Sequence, residues 1–71
     1  MNNEYYYIKA KAINYGEDDY YLCMGDNFHL APVPLKIFSS IEDAVDWKFN
    51  KLDDEAFRSI FPNHEISIER I

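Results

Sequence analysis

The alternation in EYYYIKAKAI, residues 4–13, restricts the fold of this chain more than any other stretch. Tyr6, Ile8, Ala10 and Ala12 fall on one side of an extended backbone, and Tyr5, Tyr7, Lys9, Lys11 and Ile13 on the other. Period two with aromatic and β-branched residues is a strand pattern. NYGEDD follows, a turn by chemistry as well as polarity, with Asn14, Gly16 and the acids Glu17, Asp18 and Asp19. DYYLCMG then alternates again, setting Tyr20, Leu22 and Met24 against Tyr21 and Cys23, so the two stretches predict an antiparallel hairpin.

In DNFHLAPVPLKIF the prolines Pro32 and Pro34 forbid regular pairing and favour an extended connector, with FHLA either a short third strand or part of that connector. Ser39 and Glu42 match the S-x-x-E capping box ahead of an apolar periodicity. At about 100° per residue, Ile41, Ala44, Val45, Lys48 and Leu52 form one stripe with Phe49 at its border. Glu42, Asp43, Asp46, Asn50, Asp53 and Asp54 fill the opposite arc, and Trp47 lies off the apolar stripe. DDEAFRSIFP is a continuation or a second short helix, capped by Asp53 or Asp54, with Phe57, Ile60 and Phe61 inward and Pro62 closing it. HEISIERI alternates, Ile66 and Ile68 on one face, and reads as a closing strand. The expected class is α+β. A small antiparallel sheet, the hairpin plus a C-terminal strand and optionally FHLA, carries one or two helices on one face in a single domain, residues 1–71.

The composition excludes several functions. Thirteen acids against seven bases give a net charge of −6, which repels nucleic acid and anionic membranes and attracts basic partners. With 48% hydrophobic residues, including six tyrosines and five phenylalanines, the chain is too apolar to stay disordered. Its lone cysteine, Cys23, allows no internal disulfide, whereas secreted domains of this size are disulfide-dense, so a cytoplasmic protein is expected. MNNEYYYIKAKAI lacks the basic-then-apolar layout of a leader, and no apolar run approaches the roughly 20 residues that span a bilayer.

No stretch announces catalysis. Cys23, Asp26 and His29 stand at C-x₂-D-x₂-H spacing with His64 as a fourth ligand, but structural zinc sites come as paired Cys/His doublets. A buried thiol and two surface imidazoles account for the same residues. A nucleophilic Cys23 needs an electropositive pocket, which an acidic chain this short does not provide. Carboxylates on a solvated helix make poor general acids, contiguous Asp53, Asp54 and Glu55 point in different directions, and Gly16 and Gly25 form no phosphate loop. A non-enzymatic protein without metal or cofactor is expected.

Two surfaces remain. Tyr5, Tyr7 and Tyr21, with Lys9 and Lys11, form a strand face combining aromatics and positive charge. It suits a dimer or partner interface, or a weak platform for single-stranded nucleic acid. The acids Glu42, Asp43, Asp46, Asp53 and Asp54, extended by Glu17, Asp18 and Asp19, form the second. A solubilising face usually mixes Glu with Lys at i,i+4, and this arc carries no base. Carboxylates on such a face lie about 5–6 Å apart, comparable to phosphates spaced by about 3.4 Å of rise along one DNA strand. Trp47, flanking the arc, is either the aromatic anchor of a contact or a buried ring.

In size, acidity and lone cysteine, with YGEDDYY and the acids of SIEDAVDWKFNKLDDE, the chain resembles the small phage-encoded host-takeover proteins of the DNA-mimic type. The resemblance implies an inhibitor in the host cytoplasm that occupies the basic DNA-binding surface of a host protein, such as a nucleoid protein, a nuclease or a polymerase subunit. Homodimerisation through the tyrosine face would double the acidic track. The competing expectation is an accessory interaction module that binds through the tyrosines and keeps its acids for solubility.

Overall fold

A computed structural model describes residues 4–71; residues 1–3, the start of the stretch read above for a leader, lie outside it. The elements run β1 (Tyr6–Ala12), β2 (Tyr20–Cys23), β3 (Asn27–His29), α1 (Ile41–Asn50), α2 (Asp54–Ile60) and β4 (His64–Arg70). The strands form one antiparallel sheet ordered β3-β2-β1-β4 with the helices on one face, the α+β class that the alternating segments predict. None of the described helices is long and apolar enough to cross a membrane.

β1 is the central strand, pairing with β4 in register from Tyr6↔Arg70 to Ala12↔His64. Its even positions carry the buried Ile8 and Ala10, which meet Ile68 and Ile66 across the ladder. β1 pairs with β2 only at Lys9↔Tyr21 and Ala10↔Tyr20. Beyond that point the strands separate and the proline connector enters between them. Phe38 exchanges two 2.9 Å backbone bonds with Tyr6, Lys36 N–H donates to the Leu22 carbonyl at 3.1 Å, and Met24 N–H donates to the Pro34 carbonyl at 2.9 Å. The connector thus satisfies backbone groups that the parted strands would leave open. The third strand is Asn27–His29 rather than FHLA. Gly25 and Asp26, at φ 93° and 63°, turn the chain into it, a conformation that glycine adopts freely and Asp tolerates.

Three local expectations are corrected: the cap of α1, its buried arc and the inward placement of Ile60. The cap of α1 is Ser40, whose Oγ accepts from Asp43 N–H at 3.1 Å. Ser39 lies one residue outside and donates to the Asp43 carboxylate at 3.3 Å. The buried arc of α1 is Ala44 and Trp47, the latter 7% exposed, rather than a stripe beginning at Ile41. Ala44 brings the helix close to the sheet, and the indole fills the space beside it against Ile8, Leu22 and Phe38. Ile41 and Phe49 consequently face solvent, Phe49 at 75% exposure. The second helix is separate, capped by Asp53, whose carboxylate accepts from Ala56 N–H at 3.2 Å. Its Phe57 is buried and Phe61 half-buried, but Ile60 points outward.

α2 is held by aromatic packing. Phe28 of β3 lies 5.5 Å from Phe57 and 5.8 Å from Phe61 by ring centroids, and Phe61 lies 4.9 Å from Tyr20. Such pairs add about 0.5–1.5 kcal/mol each beyond the area they bury. The capping geometry makes a clean prediction. Ser40→Ala lowers stability by about 1 kcal/mol, while Ser39→Ala stays within about 0.5 kcal/mol of the parent, measured by urea unfolding.

Candidate protein-binding surface

Rotation of α1 about its axis decides which side chains reach water. With Ala44 and Trp47 inward, Glu42, Asp43 and Asp46 are exposed on the outer arc, and Asp53 and Asp54 continue the exposed acids into α2. Among the described residues three ion pairs form: Lys9–Asp19 at 3.5 Å, Lys36–Asp26 at 2.7 Å and Arg70–Glu4 at 3.1 Å. None involves an acid of either helix. Lys48 instead holds its ammonium 5.7 Å from the Phe49 ring centroid.

Although the arc carries no base, the helix acids are locally compensated by the helix termini. Glu42 and Asp43 occupy the first turn of α1, and Asp54 and Glu55 the first turn of α2. A negative charge there gains about 0.3–1 kcal/mol from the exposed N–H groups and the helix dipole. Asp46 accepts from Asn50 at 2.6 Å, one turn along. The flanks of the arc are mixed in sign. Asp43 and Asp46 border a shallow groove shared with Lys36 and Lys51, and Asp54 borders another shared with Lys48 and Arg58.

The turn acids divide. Glu17 and Asp18 are exposed beside the start of β4, where Asn63 Nδ2 donates to Glu17 at 3.5 Å and His64 Nε2 meets the Asp18 carbonyl at 2.7 Å. Asp19 is half-buried beside them and engaged within the chain. Its carboxylate accepts from Ala12 N–H at 2.8 Å and faces Lys9. That backbone bond, with Lys9 beside it, holds the Asp19 carboxyl below its usual range. Burial works against the charge on Lys9, but Asp19 and Glu69 outweigh it and its pKa is raised. Asp26 is lowered in the same way by its bond to Lys36.

Trp47 belongs to the core, so the expected aromatic anchor is not at the surface; Phe49 is the exposed ring of α1. The tyrosine face is the side of the sheet away from the helices. Tyr5 is exposed, whereas Tyr7 and Tyr21 are half-buried against each other with ring centroids 6.1 Å apart. Lys9 is tied to Asp19, and Ser67 donates to Glu69 on the neighbouring strand, so long side chains cover much of this face themselves. Cys23 shares the face but is buried, its thiol 3.7 Å from the Ala31 carbonyl of the connector. His29 lies on the edge strand opposite Tyr21, and His64 packs 5.5 Å from both Tyr20 and Phe61. Among the described residues no three His, Cys, Asp or Glu side chains gather at metal-ligating distance.

A groove of about 340 Å³ between the end of α1, α2 and β3 went unforeseen. Phe28, Leu52, Phe57 and Phe61 wall it, with Asp26 and Asp53 at its margin. The aromatic content of DNFHL and EAFRSIF was its only sequence signal. No family model matches the chain, and no curated protein or solved structure matches it.

The Asp19 geometry sets a pH dependence. A carboxyl lowered in the folded state contributes stability that is present above its unfolded pKa of about 3.9 and lost as pH falls through the lower folded value. The stability advantage of the parent over Asp19→Asn, present at neutral pH, therefore shrinks as pH drops below about 4. Urea midpoints across that range test it, and a constant difference contradicts the assignment.

Proposed function

We propose that this chain is a non-enzymatic acidic binding protein that mimics DNA, occupying the basic nucleic-acid-binding surface of another protein and inhibiting it. One observation carries the reading: the carboxylates of Glu42, Asp43, Asp46, Asp53 and Asp54 stand in water and, among the described residues, no cation bridges any of them. Glu17 and Asp18 add charge at the hairpin turn. Lysines and arginines that neutralise phosphates on DNA gain comparable contacts from such an array, and the competition is steep in salt on both sides. The partner is a basic, DNA-binding protein of the host cytoplasm. The net charge of −6 makes direct binding of nucleic acid unfavourable.

The absence of a helix over that side of the sheet among the described residues, with Tyr5 exposed, favours the second reading, an accessory module that binds through Tyr5, Tyr7 and Tyr21 with the acids serving solubility. One competition assay separates the two. A labelled duplex is bound to a purified basic nucleoid protein and the chain is titrated in. Mimicry predicts displacement that weakens sharply as salt rises. It predicts loss of displacement in a variant carrying Asp43→Asn, Asp46→Asn, Asp53→Asn and Asp54→Asn, and retention when Tyr5, Tyr7 and Tyr21 become Ser. Asn keeps the cap of α2, so the first variant stays folded. Displacement lost only with the tyrosines contradicts mimicry.

A further inference from the structure

The outer edge of β4 is unpaired among the described residues. Ile71 N–H donates to the Tyr5 carbonyl and Ile13 N–H to the Asn63 carbonyl, both at 2.9 Å. In this register the backbone groups of Glu65, Ser67 and Glu69 point at β1. Those of Ile66, Ile68 and Arg70 point off the sheet. The strand is seven residues long, pairs without a bulge and contains no proline, so charged side chains, Glu65, Glu69 and Arg70, are the edge-blunting device it carries.

An apolar helix flank runs beside this edge. Trp47 leans toward β3 and the connector, bordering grooves with Phe28 and with Phe38. Lys48, on the other flank, borders a groove with Ile66 and Glu65. Ile41, Val45 and Phe49, at i, i+4 and i+8, lie on that β4 side, with Ile41 and Phe49 exposed and Val45 half-buried.

The occupant these features fit is a second copy. α1 packs over both β1 and β4, so its axis lies about one strand spacing, about 4.8 Å, from a two-fold placed beside β4. Two copies joined along that edge bring their α1 helices about 10 Å apart, at the upper end of the usual packing distance of about 8–10 Å. One operation then closes the edge and the flank together. The charges select the register. A two-fold at Ser67 sets Glu65 against the partner's Glu69 twice, which like charges disfavour. A two-fold at Ile66 calls on His64 N–H, already bonded to the Phe61 carbonyl at 3.3 Å. A two-fold at Ile68 sets Ile66 against the partner's Arg70 and Ser67 against the partner's Glu69, with no like-charge pair.

We infer that the protein forms a two-fold dimer by antiparallel pairing of β4 with the β4 of a second copy, centred on Ile68, with Phe49 and Val45 of the two α1 helices packed across the axis. The interface is distinct from the tyrosine face and independent of the DNA-mimic reading. Because each chain carries −6, association strengthens with salt, opposite to the contact proposed for the acids.

Sedimentation of the intact protein, from micromolar to near-millimolar concentration at low and high salt, reads the mass, which is expected to be that of two chains. Phe49→Glu, at a position outside the core, is expected to return the mass to one chain without changing the far-UV spectrum. Ser67→Cys and Glu69→Cys chains are expected to cross-link when mixed and oxidised, and neither alone, because these positions oppose each other at about 4.5–5.5 Å between Cβ atoms in the stated register. A single chain at every concentration overturns the inference. So does a dimer that survives Phe49→Glu, one that dissociates on Tyr5→Ser instead, or a cross-link formed by either cysteine variant alone.

Discussion

Burial of Ala44 and Trp47 against Ile8, Leu22 and Phe38 fixes the rotation of α1, and through it the direction of every charge on that helix. Ala44 is the close-approach point, and the indole is the one large side chain that α1 places in the core. Each fully buried aliphatic in that cluster stabilises the fold by about 1.5–3 kcal/mol, well above the few tenths of a kcal/mol of any single pair of exposed charges. The packing therefore decides, and the carboxylates follow. Glu42, Asp43 and Asp46 reach water because their arc is what remains once the indole faces inward.

The sheet was legible because strands declare themselves locally. Tyr6–Ala12 and His64–Arg70 alternate over seven residues, and their pairing follows from which positions are apolar. The helix face was less legible for a physical reason. A wheel weighs Ile41, Val45 and Phe49 by hydrophobicity, whereas the fold weighs how closely the backbone approaches the sheet, and that favoured Ala44 with Trp47 beside it. The cap moved by one residue because Ser39 and Ser40 are adjacent and either can reach Asp43. Insertion of residues 34–38 between β1 and β2 had no local signal, since it rests on backbone bonds to segments far away in sequence.

The acidic arc was readable as a charge pattern but not as an energy. First-turn positions in two helices give Glu42, Asp43, Asp54 and Glu55 a stabilising role, so acidity and stability are compatible here. What the helix termini do not supply is a counter-charge, and among the described residues no cation bridges that surface. Asp19 marks the boundary of the pattern. It sits among turn acids, yet the fold uses it to receive the Ala12 N–H that β1 leaves open where the hairpin turns.

Both proposed contacts inherit the same helix rotation, since the carboxylates and the Phe49 flank occupy neighbouring arcs of α1. The chain's single tryptophan makes that rotation directly measurable. Fluorescence of Trp47 with acrylamide as quencher, in the folded protein, is predicted to show blue-shifted emission and weak quenching that rises on unfolding. Red-shifted emission with strong quenching in the folded state would place the indole in water. The acids would then be turned toward the sheet, and the account would fail.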